Sequence, residues 1–220
     1  MAAEPLNDAR WQRARRRLVE TIAEKGVDDL AILRAFDLVP RHIFLPDAMC
    51  NRAYEDVPLP IGFGQTTSQP SLQALYMHVV RLQPADKVLE VGTGSGYQTA
   101  VLAHLVANVY SIERVAELSA RARSALDTLR VNNVALLVGD GTVGWTRYAP
   151  FDAILVAAGA PSPPQALLDQ LAENGRLLIP IGDRKEQSLT LFRKLAQGVE
   201  TEEIAECTFV PLVGRFAWPD

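Results

Sequence analysis

A buried strand that runs into alternate glycines and then into a helix leaves a chain few folds to choose from. Residues 87–97 are such a stretch. Lys87, Val88, Leu89, Glu90 and Val91 open it as a short apolar run, as a strand buried on both faces requires. Gly92, Gly94 and Gly96 follow, and an apolar-periodic segment covers residues 99–105. This order makes a nucleotide site in α/β sheets, because glycine lets a ligand approach the backbone and a helix start presents unpaired N–H groups. The spacing here is G-x-G-x-G. The dinucleotide fingerprint G-x-G-x-x-G would put its third glycine at Tyr97, a bulky aromatic. Glu90, two residues before the first glycine, would repel a pyrophosphate and attract a ligand carrying an ammonium and a sulfonium. Both features favour S-adenosylmethionine over NAD.

Upstream, residues 2–8 read as a loose tail and residues 10–25 as a helix with Trp11, Ala14, Leu18 and Ile22 on one face, stopped by Gly26. The arginines at 10, 13, 15, 16 and 17 read as a solvated helix face. A second helix covers residues 30–36, capped by Asp28 or Asp29. Residues 40–65 hold four prolines and two glycines without sustained periodicity, and their apolar residues predict a packed loop. A third helix follows Pro70, with Leu72, Leu75, Tyr76 and Val79 at helical spacing and Ser68 or Gln69 placed to cap it.

Downstream the rhythm is β-α-β. Strands are predicted at residues 108–112, 134–138, 151–156 and 175–180, and helices at 116–129 and 164–171. Residues 187–195 and 202–210 form a closing antiparallel pair turned at Gln197-Gly198. The fold class is therefore α/β: a doubly wound, mostly parallel sheet with a helical N-terminal extension and antiparallel C-terminal strands. The order of the last strands in the sheet stays open. With 220 residues and 48% hydrophobic content, residues 1–220 can bury one core. Residues 1–80 would form the extension and bear part of the site; residues 81–220 would form the Rossmann-like core. A net charge of −4 argues against a nucleic-acid surface. Cys50 and Cys207 are too few for a disulfide framework, and no histidine has metal-ligand spacing with another. No apolar window approaches a membrane span and no signal sequence opens the chain, so it reads as a cytoplasmic, soluble protein.

An open α/β sheet binds ligands outside the carboxyl ends of its strands, where the winding reverses. Glu90, Glu113 and Asp140 stand at or just after three successive strand ends. Each answers a need of adenosylmethionine. Glu90 can offset the ammonium, directly or through water. Glu113 can accept both ribose hydroxyls, and Asp140 can accept from the adenine amino group while Gly141 allows close approach.

These residues carry a resemblance to the protein-L-isoaspartate O-methyltransferases, a family of class I methyltransferase fold. It extends over residues 17–214 and includes Val39-Pro40-Arg41-His42, Ala53-Tyr54-Glu55-Asp56 and Leu59-Pro60-Ile61-Gly62. Gly64-Gln65-Thr66-Thr67-Ser68-Gln69-Pro70 is its most specific segment; Ile112-Glu113-Arg114, Gly139-Asp140-Gly141 and Phe209-Val210-Pro211-Leu212 complete it. The resemblance implies methylation of the free α-carboxylate of L-isoaspartyl residues in damaged proteins and peptides. The ester then closes to a succinimide and reopens partly to aspartate. It implies Ser68 as the active-site serine and Thr66 and Thr67 beside it. The cofactor, which leaves as S-adenosylhomocysteine, falls on Thr66, Thr67, Glu90, Gly92, Thr93, Gly94, Ser95, Gly96, Glu113, Asp140 and Gly141. Val210, Pro211 and Leu212, with Ser68, would wall the peptide cleft of a monomeric enzyme. Such a site needs no metal and no general base, since a carboxylate with pKa near 4 is ionised at neutral pH. Thr67 stands where the family often has isoleucine, and Ala157 where it tends to have threonine. The alternatives are a cofactor-binding member with altered or lost isoaspartyl activity, or a methyltransferase for another carboxylate or small molecule.

Overall fold

The computed structural model describes residues 8–219, and residues 2–7 of the expected tail lie outside it. Asp8 does not belong to a tail: its carboxylate caps the first helix, α1 (Ala9–Glu24), by accepting from the Arg10 amide. α2 (Leu30–Leu38) is capped in the same way by Asp29. α1 seats Trp11 flat against His42, and His42 in turn bonds Tyr54, which ties the helix to the loops that follow.

Residues 40–65 are more ordered than expected. Two single-turn helices, Arg41–Phe44 and Asp47–Arg52, lead into a hairpin of β1 (Leu59–Gly62) and β2 (Gln65–Thr67). Its two-residue turn, Phe63-Gly64, has φ of +55° and +69°, the left-handed pair of a type I′ turn. That turn normally announces itself as Asn-Gly; phenylalanine in its place conceals the hairpin from the sequence. α3 (Pro70–Val80) then returns the chain to the core.

The main sheet has seven strands. They are β3 (Lys87–Val91), β4 (Asn108–Glu113), β5 (Val134–Val138), β6 (Phe151–Val156), β7 (Leu171–Gly182), β8 (Gln187–Leu195) and β9 (Gly198–Cys207). The order across the sheet is β5-β4-β3-β6-β7-β8-β9, parallel through β7 and antiparallel beyond it. The last strands thus follow one another in chain order. β7 starts four residues earlier than the pattern predicts, because left-handed Asn174 and a register shift opposite residues 151–153 break the alternation there. β9 also starts early, since its solvent-facing edge carries glutamates instead of alternating apolar residues. Its Gly198 is already in the strand, and Ala196-Gln197 makes the turn.

Side chains on the central strands alternate between two cores. Val88, Ala153, Leu155 and Leu178 face α1 to α3 and α4 (Tyr97–Ala103); Leu89, Ile154, Val156 and Leu177 face α6 (Gln165–Asp169) and the C-terminal segment. α5 (Ala116–Thr128) packs on β4 and β5. The chain winds outward from β3 through β4 to β5, then returns to the other side of β3 as β6. The reversal leaves a crevice beyond the carboxyl ends of β3 and β6, where Gly92 and Ala157 follow their strands. Among the described residues no helix is long and apolar enough to cross a membrane.

Candidate active site

A cavity of about 200 Å³ occupies that crevice. Three stretches wall it: the arm from Gln65 to Ser68, the turn from Gly92 to Ser95, and the C-terminal segment from Val210 to Val213. Glu113 and Gly141 close it from the ends of β4 and β5. So Thr66, Thr67, Ser68, Gly92, Thr93, Gly94, Ser95, Glu113, Gly141, Val210, Pro211 and Leu212 meet at one place, although they come from five regions of the sequence.

The amides of the glycine turn decide what charge the cavity accepts. Gly92 and Thr93 donate to the Ile112 carbonyl at 2.9 and 3.3 Å, Gly96 donates to the Thr93 carbonyl at 2.9 Å, and Gly94 donates to the Glu113 carboxylate at 2.7 Å. An anion site needs such groups free. Here four of the five, all but that of Ser95, are spent within the protein, and a carboxylate already lies against the turn. A phosphate would find repulsion in place of donors. A cationic, hydroxyl-bearing ligand fits: each Glu113 oxygen takes one amide, from Gly94 or Val115, and keeps a lone pair for another donor.

Three of the expected residues do not line the cavity. Gly96 is left-handed, with φ of +87°, and a Cβ there would lie 2.9 Å from Ala122 Cβ of α5. Its job is to let α5 approach the turn. Asp140 turns away from the cavity: Oδ1 accepts from the Thr142 amide and hydroxyl, and Oδ2 from the Arg215 amide at 2.8 Å. Burial works to raise its pKa, but the bonds from Arg215 and Thr142 prevail and hold it below the ordinary value. It straps the C-terminal segment to the end of β5, while Gly141 alone reaches the cavity. Glu90 lies beneath the turn on the α4 side, fully buried, accepting from Gln98, Thr99 and Ser111. Burial pushes its carboxyl up from 4.5 to about 7, against those three hydrogen bonds. Its effect on the cavity is therefore electrostatic, carried through Gln98 and through Ser111 with Thr93.

Ser68 is not the cap of α3. Gln69 holds the cap position without a side-chain bond, and the missing acceptor is Asp56, whose carboxylate takes the Ser71 amide at 2.8 Å, the Gln69 side chain and the Lys25 ammonium. The Ser68 hydroxyl is thereby left for the cavity. A second cavity, of about 690 Å³, shares Thr66, Ser68, Ala157 and Val210 with the first and extends between α3 and Phe209. Val210, over both cavities, and Leu212, over the first, are held by paired bonds to Gly159, in the loop after β6.

A protein-family model for protein-L-isoaspartate(D-aspartate) O-methyltransferase matches residues 13–217. The protein-L-isoaspartate O-methyltransferase of Trichlorobacter lovleyi is 52% identical over 207 residues, 93% of this chain and 95% of that protein. The chain belongs to this methyltransferase family. Its relative in Geobacter metallireducens is 49% identical over 207 residues, 93% of this chain and 96% of that protein. Among solved structures, a protein-L-isoaspartate O-methyltransferase aligns with TM-score 0.85 at 32% identity, covering 92% of this chain and 67% of that one. A beta-aspartate methyltransferase from Plasmodium falciparum in complex with S-adenosyl-L-homocysteine aligns with TM-score 0.80 at 27% identity, covering 90% of this chain and 98% of that one.

Family membership is consistent with two joined cavities. It does not single out Gln73, which sequence reasoning missed. Gln73 lines the first cavity, is buried, and leaves Oε1 without a partner among the described residues. Its place on the cavity wall makes that amide oxygen a candidate contact for whatever the cavity holds. On the sequence it is one more polar residue in α3, and nothing local separates it from a solvated one.

Proposed function

We propose that the first cavity holds S-adenosylmethionine and that the second receives an L-isoaspartyl peptide, whose free α-carboxylate is methylated where the two meet, at Ser68. The observation that carries this reading is the turn from Gly92 to Gly96, four of whose five amides are already bonded within the protein, with the Glu113 carboxylate against it. Bound there, the cofactor supplies a methyl group on a positively charged sulfonium and leaves as S-adenosylhomocysteine. Glu113 holds the ribose hydroxyls with its remaining lone pairs, Gly141 gives the adenine room, and the turn from Gly92 to Ser95 seats the methionyl end. Glu90 supplies negative charge beneath that end, and Asp140 serves by anchoring the C-terminal strap. The acceptor oxygen needs no deprotonation at neutral pH, so the protein's task is alignment and exclusion of water. Ser68 donates one hydrogen bond to the carboxylate, and Val210, Pro211 and Leu212 cover it. The ester formed closes to a succinimide without further help, which starts repair.

The reading takes residues 1–220 as one methyltransferase unit, monomeric and cytoplasmic, acting on damaged proteins; its net charge of −4 argues against a nucleic-acid partner. A peptide carrying one isoaspartate, offered beside its aspartyl twin with radiolabelled adenosylmethionine, tests it. Preferential labelling of the isoaspartyl peptide is expected. Equal labelling of the twins, or none, would refute the assignment.

A further inference from the structure

The largest fully buried side chain among the described residues is a cation, Arg41. Among those residues no carboxylate pairs with it directly. Its guanidinium instead binds four backbone carbonyls: Nη1 donates to Ala53 and Glu55, each at 3.0 Å, and Nη2 donates to Val57 at 3.2 Å and to Ser68 at 3.1 Å. The same group lies 5.6 Å from the ring centroid of Tyr97, the first residue of α4 after the glycine turn. One buried fork therefore touches the arm that carries Ser68 and the segment that follows the donor turn.

The segment gathered by Arg41 acts again one residue later. Asp56 lies between Glu55 and Val57, two of the residues whose carbonyls Arg41 holds, and its carboxylate takes the Ser71 amide. Ser68 is thus gripped by its own carbonyl on one side and through the start of α3 on the other. Desolvating a guanidinium is costly, and a plain core position would be filled more cheaply by an apolar residue. A lysine could not replace it, because a single ammonium cannot span four carbonyls arranged around a planar fork. We propose that Arg41, with Asp56 acting through the α3 cap, is a positioning residue for methyl transfer, fixing Ser68 relative to the glycine turn.

The inference rests on the role of Ser68 given above, and a double-mutant cycle separates the two. Arg41→Lys, Ser68→Ala and the double variant are each assayed for kcat and KM on an isoaspartyl peptide, with S-adenosylhomocysteine affinity measured by titration calorimetry. A misplacement on the ångström scale makes the expected fall in kcat for Arg41→Lys about ten- to a hundred-fold. S-adenosylhomocysteine affinity should stay within about threefold, since Arg41 meets the donor cavity at the Ser68 carbonyl and not at the glycine turn or Glu113. In the Ser68→Ala background the Arg41→Lys loss should largely vanish, because a side chain that is gone cannot be misplaced. Asp56→Ala, measured in the same cycle, should show the same pattern; if Arg41→Lys does not fold, this second cycle decides. Losses that multiply independently, an unchanged kcat, or a parallel loss of S-adenosylhomocysteine binding would overturn the positioning role alone. A Ser68→Ala variant with full turnover would remove the underlying reading as well.

Discussion

Glu90→Gln should make the protein more stable and its donor cavity weaker, and both effects should appear over the same span of pH. In the native state the carboxyl titrates near 7, where its ordinary value is 4.5. Between those values the folded protein retains a proton that the unfolded chain has released, so stability falls as pH rises through the window and levels off above it. The rise from 4.5 to about 7 corresponds to about 3 kcal/mol, at about 1.4 kcal/mol per pH unit. Glutamine carries no charge at any pH, keeps an acceptor for Gln98, and offers an amide to the hydroxyls of Thr99 and Ser111. Urea unfolding of both proteins between about pH 4.5 and pH 7.5 should show the variant gaining up to about 3 kcal/mol on the wild type, most of it above pH 5.5. The functional limb has the opposite sign. Above pH 7 the wild type places a carboxylate beneath the donor and the variant does not, so adenosylmethionine affinity should fall about tenfold there and converge below pH 6. Unfolding curves that stay parallel at every pH would show that Glu90 is ionised throughout, and the argument from its burial would fail.

Three further outcomes follow from the same geometry. Gly96→Ala combines a left-handed backbone with a Cβ 2.9 Å from Ala122 Cβ and 3.2 Å from Ala122 Cα, so thermal unfolding should report a loss of at least about 2 kcal/mol; an unchanged melting temperature would contradict the tight turn–α5 packing. Glu113→Gln replaces a charged acceptor at the donor cavity, and calorimetry should find S-adenosylhomocysteine bound about tenfold or more weakly, with the fold intact; undiminished affinity would exclude Glu113 as a ligand. Asp140→Ala releases the amide of exposed Arg215, and trypsin should cut after that residue several-fold faster than in the wild type; equal rates would mean the strap is held elsewhere.

Much of the fold was legible because its signals are local. The apolar runs of β3, β4 and β6, the glycines after β3, and the acids at the ends of β3 and β4 all lie within a few residues of what they specify. The type I′ hairpin escaped because Phe63 occupies a position where asparagine would have declared the turn. The long start of β7 escaped because left-handed Asn174 interrupts the alternation just before the predicted start at Gly175. In the site, Ser68 and Glu113 stood out from strand-end logic and family resemblance. Asp56 and Arg41 appeared only within family motifs and without a role, since their contacts with Ser71 and Ser68 span 15 and 27 residues and no spacing rule covers such distances.

By itself, then, the sequence determined a doubly wound sheet with a cation-tolerant ligand site at its reversal point, because strand period, helix period and turn chemistry are properties of neighbouring residues. Tertiary structure alone decided how three similar acids divide their work. Glu113 faces the cavity, Asp140 straps the C-terminal segment, and Glu90 sits buried with its proton half released near neutral pH. Burial and the partners of each oxygen made that division, and both depend on elements that meet only when the chain has folded.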